Sequence, residues 1–124
     1  MKVRISGNSI RFRLKQAEVH RFQQEKEVVE VTAFGPAHAD KLSFVLKAGS
    51  SNDFSIAYQF NTVTLEVPPR VCHAWTTTEL VGFEETIDTG KGEAIKILVE
   101  KDFACLDRTD VENEDTYPNP HLSC

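Results

Sequence analysis

Three side chains near the C-terminus have the ligand chemistry of a soft-metal site: Cys105, His121 and Cys124. Thiolate and imidazole groups suit Zn²⁺, and a fourth ligand could come from Asp102, from His73 or from a second chain. The spacing is not that of a zinc motif, because there is no C-x-x-C pair and 15 residues separate Cys105 from His121. Three interpretations stay open: possible zinc binding, a Cys105–Cys124 disulfide, or a buried Cys105 with a free thiol at Cys124.

A second candidate site is basic. Residues 1–53 hold nine Lys and Arg against six Asp and Glu, whereas residues 54–106 hold four against eight and residues 107–124 one against five. The excess is carried by one predicted hairpin and its exit, at Lys2, Arg4, Arg11, Arg13 and Lys15. A basic hairpin is typical of DNA or partner binding, but also of a solvated surface or of a face that docks an acidic tail.

Motifs of the common enzyme classes do not occur in the chain. There is no G-x-S-x-G, Walker loop, H-E-x-x-H or dinucleotide fingerprint. The 124 residues carry a net charge of −5, which disfavours a general nucleic-acid or anionic-membrane binder. The sequence favours a cytoplasmic protein. Its three cysteines cannot all pair with one another, it has no secretory leader, and no apolar run approaches the ~20 residues of a membrane span. The sequence favours a non-catalytic module that binds a protein or small ligand, without a cofactor unless the zinc interpretation holds.

The elements that must position these residues occur twice, 53 residues apart. Residues 8–14 align in residue class with residues 61–67, and His20 aligns with His73. Any two strands with alternating residues match at half of all registers by chance. Here, however, one constant offset aligns four successive elements. This regularity indicates an internal duplication.

Each copy has the pattern of two strands, a short helix and two more strands. In the second strand Ile10, Phe12 and Leu14 face one way and the arginines the other, which fixes the register. The predicted elements are strands 2–6, 10–14, 27–33 and 41–47 with helix 16–23, and strands 54–59, 62–67, 80–87 and 94–101 with a helix around Cys72 and Trp75.

These elements predict a single, mainly β domain with short helices. The duplicated β-β-α-β-β units, residues 1–53 and 54–106, are expected to form a pseudo-two-fold closed barrel, because a single unit has too little core to stand alone. An acidic C-terminal tail, residues 107–124, is expected to pack on that barrel.

The run from Gly7 to Val19 resembles the start of AbrB/MazE-type swapped-hairpin domains, with a G-N-S turn, an alternating strand and a short helix. That resemblance implies interleaved hairpins and a DNA-binding regulator that uses Arg4, Arg11 and Arg13. Lys15-Gln16 departs from it, since proline is usual there, and Glu66 on the second hairpin would repel phosphate. In its opening and in the segments Glu100–Leu106 and Tyr117–Pro120, the whole chain also resembles a small uncharacterised bacterial domain family, which implies no activity.

Overall fold

The structure is a computed structural model that describes residues 1–105 and 108–119. In chain order the elements are β1 (Lys2–Ser6), β2 (Ser9–Leu14), α1 (Gln16–Glu25), β3 (Glu27–Ala33), β4 (Lys41–Ala48), β5 (Ser55–Gln59), β6 (Thr62–Val67), α2 (Pro69–Thr77), β7 (Gly82–Gly90) and β8 (Glu93–Lys101). A 3₁₀ turn, His38–Asp40, precedes β4. Every predicted strand and helix is present, and strand β7 runs on to Gly90 because the turn itself is made by Lys91 and Gly92, both at positive φ.

The strands form two four-stranded sheets, in the hydrogen-bonded orders β1-β2-β8-β7 and β3-β4-β6-β5. Each sheet contains one antiparallel pair of strands from each half of the chain. The two pairs are joined by parallel pairing, of β2 with β8 in the first sheet and of β4 with β6 in the second. The predicted hairpins β1–β2 and β5–β6 are confirmed.

The predicted closed barrel is not seen in the described part of the chain. The pairing ends at edge strands β1 and β7 in the first sheet and β3 and β5 in the second. Side-chain alternation identifies the buried face of each strand, but it says nothing about which edges share backbone hydrogen bonds, so it could not settle closure.

The core lies between the inner faces of the two sheets and the two helices. Strand residues such as Phe12, Leu46 and Val99 are fully buried there. Trp75 of α2 is also fully buried, edge-on to Phe22 of α1 at a centroid distance of 6.0 Å, and its Nε1 donates to the Val81 carbonyl at 3.1 Å. The single hydrogen-bond donor of the indole thus has an acceptor, although the ring is buried among apolar side chains. Neither helix of the described residues is long and apolar enough to cross a membrane.

Backbone hydrogen bonds recur at the 53-residue offset. Ser9 is the register partner of Lys96 in the first sheet, and Thr62 is the partner of Ser43 in the second. Likewise the Asp102 N–H donates to the Leu14 carbonyl at 2.8 Å, and the Gly49 N–H donates to the Val67 carbonyl at 2.9 Å. The buried helix residues correspond as well, Val19 and Phe22 with Cys72 and Trp75. This offset relates β1, β2 and β8 to β5, β6 and β4. It does not extend to β3 and β7, since Glu27 pairs with Lys47 as Gly82 pairs with Glu100, an offset of 55 residues.

The C-terminal segment, in its described residues 108–119, contacts the first half of the chain. The Asp115 carbonyl accepts from the Gln16 N–H at 3.0 Å, and the Asp115 carboxylate accepts from the Ala17 N–H at 3.0 Å. These are two of the N–H groups that the first turn of α1 leaves without intrahelical partners, and a negative charge is favourable there. The Tyr117 N–H donates to the Asp102 carbonyl at 2.7 Å, which holds the segment beside the end of β8.

Candidate anion-binding face

The outer surface of the first sheet carries five basic side chains. In β2 the buried Ile10, Phe12 and Leu14 turn Arg11 and Arg13 outward, and the register places side chains of β1 and β8 beside them. We call this surface the basic face, and its cations are Lys2, Arg4, Arg11, Arg13 and Lys96. The face also carries acidic residues, at Glu84, Asp88 and Glu100 of strands β7 and β8.

Like charges stand directly opposite one another on this face. Arg4 is the register partner of Arg11, and Lys2 is the partner of Arg13. Such antiparallel partners have Cβ atoms about 5 Å apart, and like charges at that distance destabilise the pair. Negative charge placed beside these pairs therefore stabilises the face.

The carboxylates present relieve this repulsion only in part. A single oxygen of Glu100 accepts from Arg11 at 2.7 Å and from Arg13 at 2.8 Å. Lys2 is paired with Asp102 at 3.1 Å, but Arg4 has no ion pair with any described residue. One carboxylate thus serves two guanidinium groups, and the third guanidinium of the face is left uncompensated.

A surface cavity of about 290 Å³ opens between these cations. It is lined by Arg4, Ser6, Ser9, Arg11, Lys96 and Leu98, and we call it the Arg4 cavity. Among the described residues Lys96 is paired with Glu84 alone, at 3.6 Å with both side chains exposed, which is a weak surface pair. The Nε atom of Arg11 is buried without a hydrogen-bond partner among the described residues. The cavity therefore combines three cations and two hydroxyl groups with little compensating negative charge.

Lys15 lies apart from the basic face. It precedes the first residue of α1, and its backbone N–H donates to the Glu18 carboxylate at 2.9 Å. The structure thus brings Arg4, Arg11 and Arg13 together as a surface, while Lys15 belongs to the start of the helix. Sequence reasoning did not single out Lys96, because only the parallel pairing of β2 with β8 brings β8 beside the hairpin. It also did not single out Ser6 and Ser9, which lie on the hairpin itself but carry no charge.

The outer surface of the second sheet is a matched comparison, which we call the neutral face. At the positions equivalent to the five cations it carries Ser55, Ala57, Thr64, Glu66 and Ser43. None of these is basic, although the backbone around them is paired in the same register. The basic residues are therefore not a requirement of this fold.

The proposed metal ligands fall largely outside the described residues. Cys105 is buried, whereas His121 and Cys124 lie beyond the part of the chain that the structure describes. Of the two expected fourth ligands, Asp102 is held by Lys2 and Arg108, and His73 is exposed on α2. Within residues 1–105 and 108–119, no group of three or more His, Cys, Asp or Glu residues is placed to hold a metal ion.

A larger cavity, of about 430 Å³, lies between the two helices beside Cys72 and His73. Burial raises the pKa of the Cys72 thiol to about 11, and its sulfur lies 3.5 Å from the Val67 carbonyl oxygen. The thiolate is the nucleophilic form of cysteine, so at neutral pH this side chain is an inert thiol. The raised pKa therefore gives no support for a nucleophilic role of Cys72 in this cavity.

Comparison with known proteins places the chain in a family without assigning a function. No match was found among curated proteins or among solved structures. The resemblance to AbrB/MazE-type domains therefore depends on the Gly7–Val19 motif alone. A model of a family of unknown function (DUF7009) matches residues 1–121, and the chain belongs to that family.

Proposed function

We propose that this protein is a non-catalytic interaction module made of two copies of one β-β-α-β-β unit, and that its basic face binds an acidic segment of a partner protein. The observation that carries the proposal is the difference between equivalent surfaces. Five basic residues stand on one face, and the five equivalent positions of the other face carry none. The hydrogen bonds that recur at an offset of 53 residues and the swapped-hairpin resemblance support the duplication.

The charge distribution favours a short acidic segment over duplex DNA. The basic face is three strands wide, about 10 Å, since neighbouring strands lie about 4.8 Å apart. Glu84 and Asp88 border it on β7, and the chain as a whole has a net charge of −5. Phosphates that flank the contact on a long duplex would meet these negative charges, whereas a short acidic segment can end before it reaches them.

The test is binding of a fluorescent decaglutamate peptide, followed by anisotropy at increasing salt. Wild type should bind with an affinity that falls as salt rises, because the contact is between exposed charges. The double variant Arg4→Gln/Arg11→Gln should weaken binding by at least about tenfold, which corresponds to about 1.4 kcal/mol.

The matched control is Ala57→Glu/Thr64→Glu on the neutral face. It changes the net charge by the same amount as the double arginine variant, at the equivalent positions, and should leave binding within about twofold of wild type. Equal weakening by both variants would contradict the proposal, since net charge alone would then explain the effect. Tighter binding of a duplex DNA than of the peptide would replace the proposed function by that of a DNA-binding regulator.

A further inference from the structure

We infer that the Arg4 cavity is a site for a phosphoryl group, carried by a phosphorylated residue of the acidic segment. This inference rests on the proposed function, because it names the chemical group by which the basic face holds its partner. A phosphorylated serine carries a charge of about −1.5 to −2 and three strong acceptor oxygens. The cavity supplies what such a group needs, both in charge and in hydrogen-bond donors.

Within the described residues, Arg4 is the one cation of the basic face that has no ion pair. Of the two like-charge pairs between β1 and β2, Lys2 and Arg13 each have a carboxylate within 3.1 Å. In the second pair, Arg11 shares Glu100 with Arg13, and Arg4 has no ion pair among the described residues. A doubly charged anion in the cavity would compensate both Arg4 and Lys96.

The donors that line the cavity suit an oxyanion. Guanidinium groups present N–H donors in a fork that matches phosphate oxygens, and lysine adds a mobile point charge. Ser6 and Ser9, register partners at the end of the hairpin, add two hydroxyl donors. A water occupies about 30 Å³ of liquid, so a cavity of about 290 Å³ has room for a phosphoryl group with several waters.

The equivalent place on the neutral face shows what the fold requires there. Its counterparts of Arg4, Ser6, Ser9, Arg11 and Lys96 are Ala57, Gln59, Thr62, Thr64 and Ser43. The strands pair in the same register without a cation at these five positions, so the three cations of the cavity are not needed for the backbone to fold. Placing them so close together costs stability, and ligand binding is the physical advantage that offsets this cost.

The experiment compares two acidic peptides that differ only in one central residue, serine or phosphoserine, by isothermal titration calorimetry with the full chain. Wild type should bind the phosphoserine peptide at least about tenfold more tightly. Arg4→Gln should remove that preference. Arg13→Gln, which removes the same charge from the basic face outside the cavity, should retain a preference of at least about fivefold. Inorganic phosphate in a parallel titration shows whether the phosphoryl group binds without the peptide.

The outcomes separate the two proposals. If decaglutamate binds as proposed but phosphoserine gives no preference, the cavity is not a phosphoryl site and the proposed function stands. If inorganic phosphate binds wild type but not Arg4→Gln, while neither peptide binds, the cavity holds a free anion, and the acidic-segment function is wrong. Equal loss of preference in Arg4→Gln and Arg13→Gln would overturn the assignment to the cavity.

Measuring the unfolding temperature shows whether Arg4→Gln is correctly folded. Removing Arg4 relieves the repulsion with Arg11, so Arg4→Gln should unfold at the same temperature as wild type or higher in a phosphate-free buffer. Added phosphate should raise the unfolding temperature of wild type and leave that of Arg4→Gln unchanged. A variant that is destabilised without phosphate would show that Arg4 has a structural role instead.

Discussion

Asp102 directly follows β8, an inner strand of the first sheet, and joins it to the C-terminal segment. Its side chain is only 1% exposed, and its carboxylate is paired with Arg108 at 2.8 Å and with Lys2 at 3.1 Å. Asp102→Asn would leave the guanidinium of Arg108 half-buried without its counter-charge. We expect it to lower the free energy of unfolding by about 1–3 kcal/mol, measured by urea denaturation. Asp110→Asn, on an exposed turn of the same segment, is the control and should change it by less than about 0.5 kcal/mol.

The same carboxylate gives the protein an acid-sensitive contact. Burial raises the pKa of Asp102, but the hydrogen bond from Arg108 and the ion pair with Lys2 outweigh burial and hold the pKa below its usual value. A lowered pKa contributes stability that is present above the unfolded pKa of about 4 and lost as the pH falls through the folded pKa.

The difference in unfolding free energy between wild type and Asp102→Asn should therefore shrink as the pH is lowered from about 6 to about 2. Chemical denaturation of both proteins across this range measures it. A difference that stays constant with pH would show that the charge of Asp102 contributes nothing.

At the scale of elements, the two equivalent hairpin turns both begin with a residue at positive φ, although only in the second turn is the next residue, Asn61, also at positive φ. Gly7 has a φ of 55°, and its counterpart Phe60 has a φ of 52° with a side chain that is 94% exposed. A left-handed conformation costs a residue with a Cβ about 1–2 kcal/mol, and glycine pays no such cost. Phe60→Gly should therefore raise the free energy of unfolding by about 0.5–1 kcal/mol, after the greater flexibility of glycine in the unfolded chain is allowed for.

The converse change at the first turn is the control. A Cβ at Gly7 would meet nothing within 4 Å, so Gly7→Ala tests the backbone conformation without a steric clash. It should lower the free energy of unfolding by about 1 kcal/mol. If both substitutions leave the thermal unfolding temperature unchanged, the two turns do not impose the left-handed conformation.

These elements were largely predictable, and their pairing was not. Strand Glu27–Ala33 is found with its predicted bounds, since local alternation and turn residues determine where such a strand begins and ends. Parallel pairing of β2 with β8 joins residues that are far apart in sequence, and no local sequence pattern predicts it. The basic residues of the candidate site were identified from the sequence, whereas Lys96 and the shared carboxylate Glu100 required that pairing.

At the scale of the whole molecule, the two halves depend on each other. Each sheet contains two strands from each half, and the strands that join the halves lie inside the sheets, β2 against β8 and β4 against β6. Separating the halves would expose both sides of these contacts together with the core residues behind them, such as Phe12 and Val99. Neither half of the chain therefore has an independent core.

Cutting the chain in the exposed linker Ser50–Asp53 tests this dependence. Fragments 1–53 and 54–124, expressed separately, should each lack the far-ultraviolet circular dichroism of the intact protein, because neither can complete a sheet and each has too few residues for a core of its own. Mixed in equal amounts, they should recover that spectrum as a one-to-one complex in analytical ultracentrifugation. A homodimer of fragment 1–53 is the competing assembly, because its strands could fill the places of the second half in each sheet, with a basic hairpin on both sheets. Because that homodimer repeats the uncompensated charge of Arg4, the heteromeric complex should prevail at low salt, and a folded monomer of either fragment would contradict the interdependence of the halves.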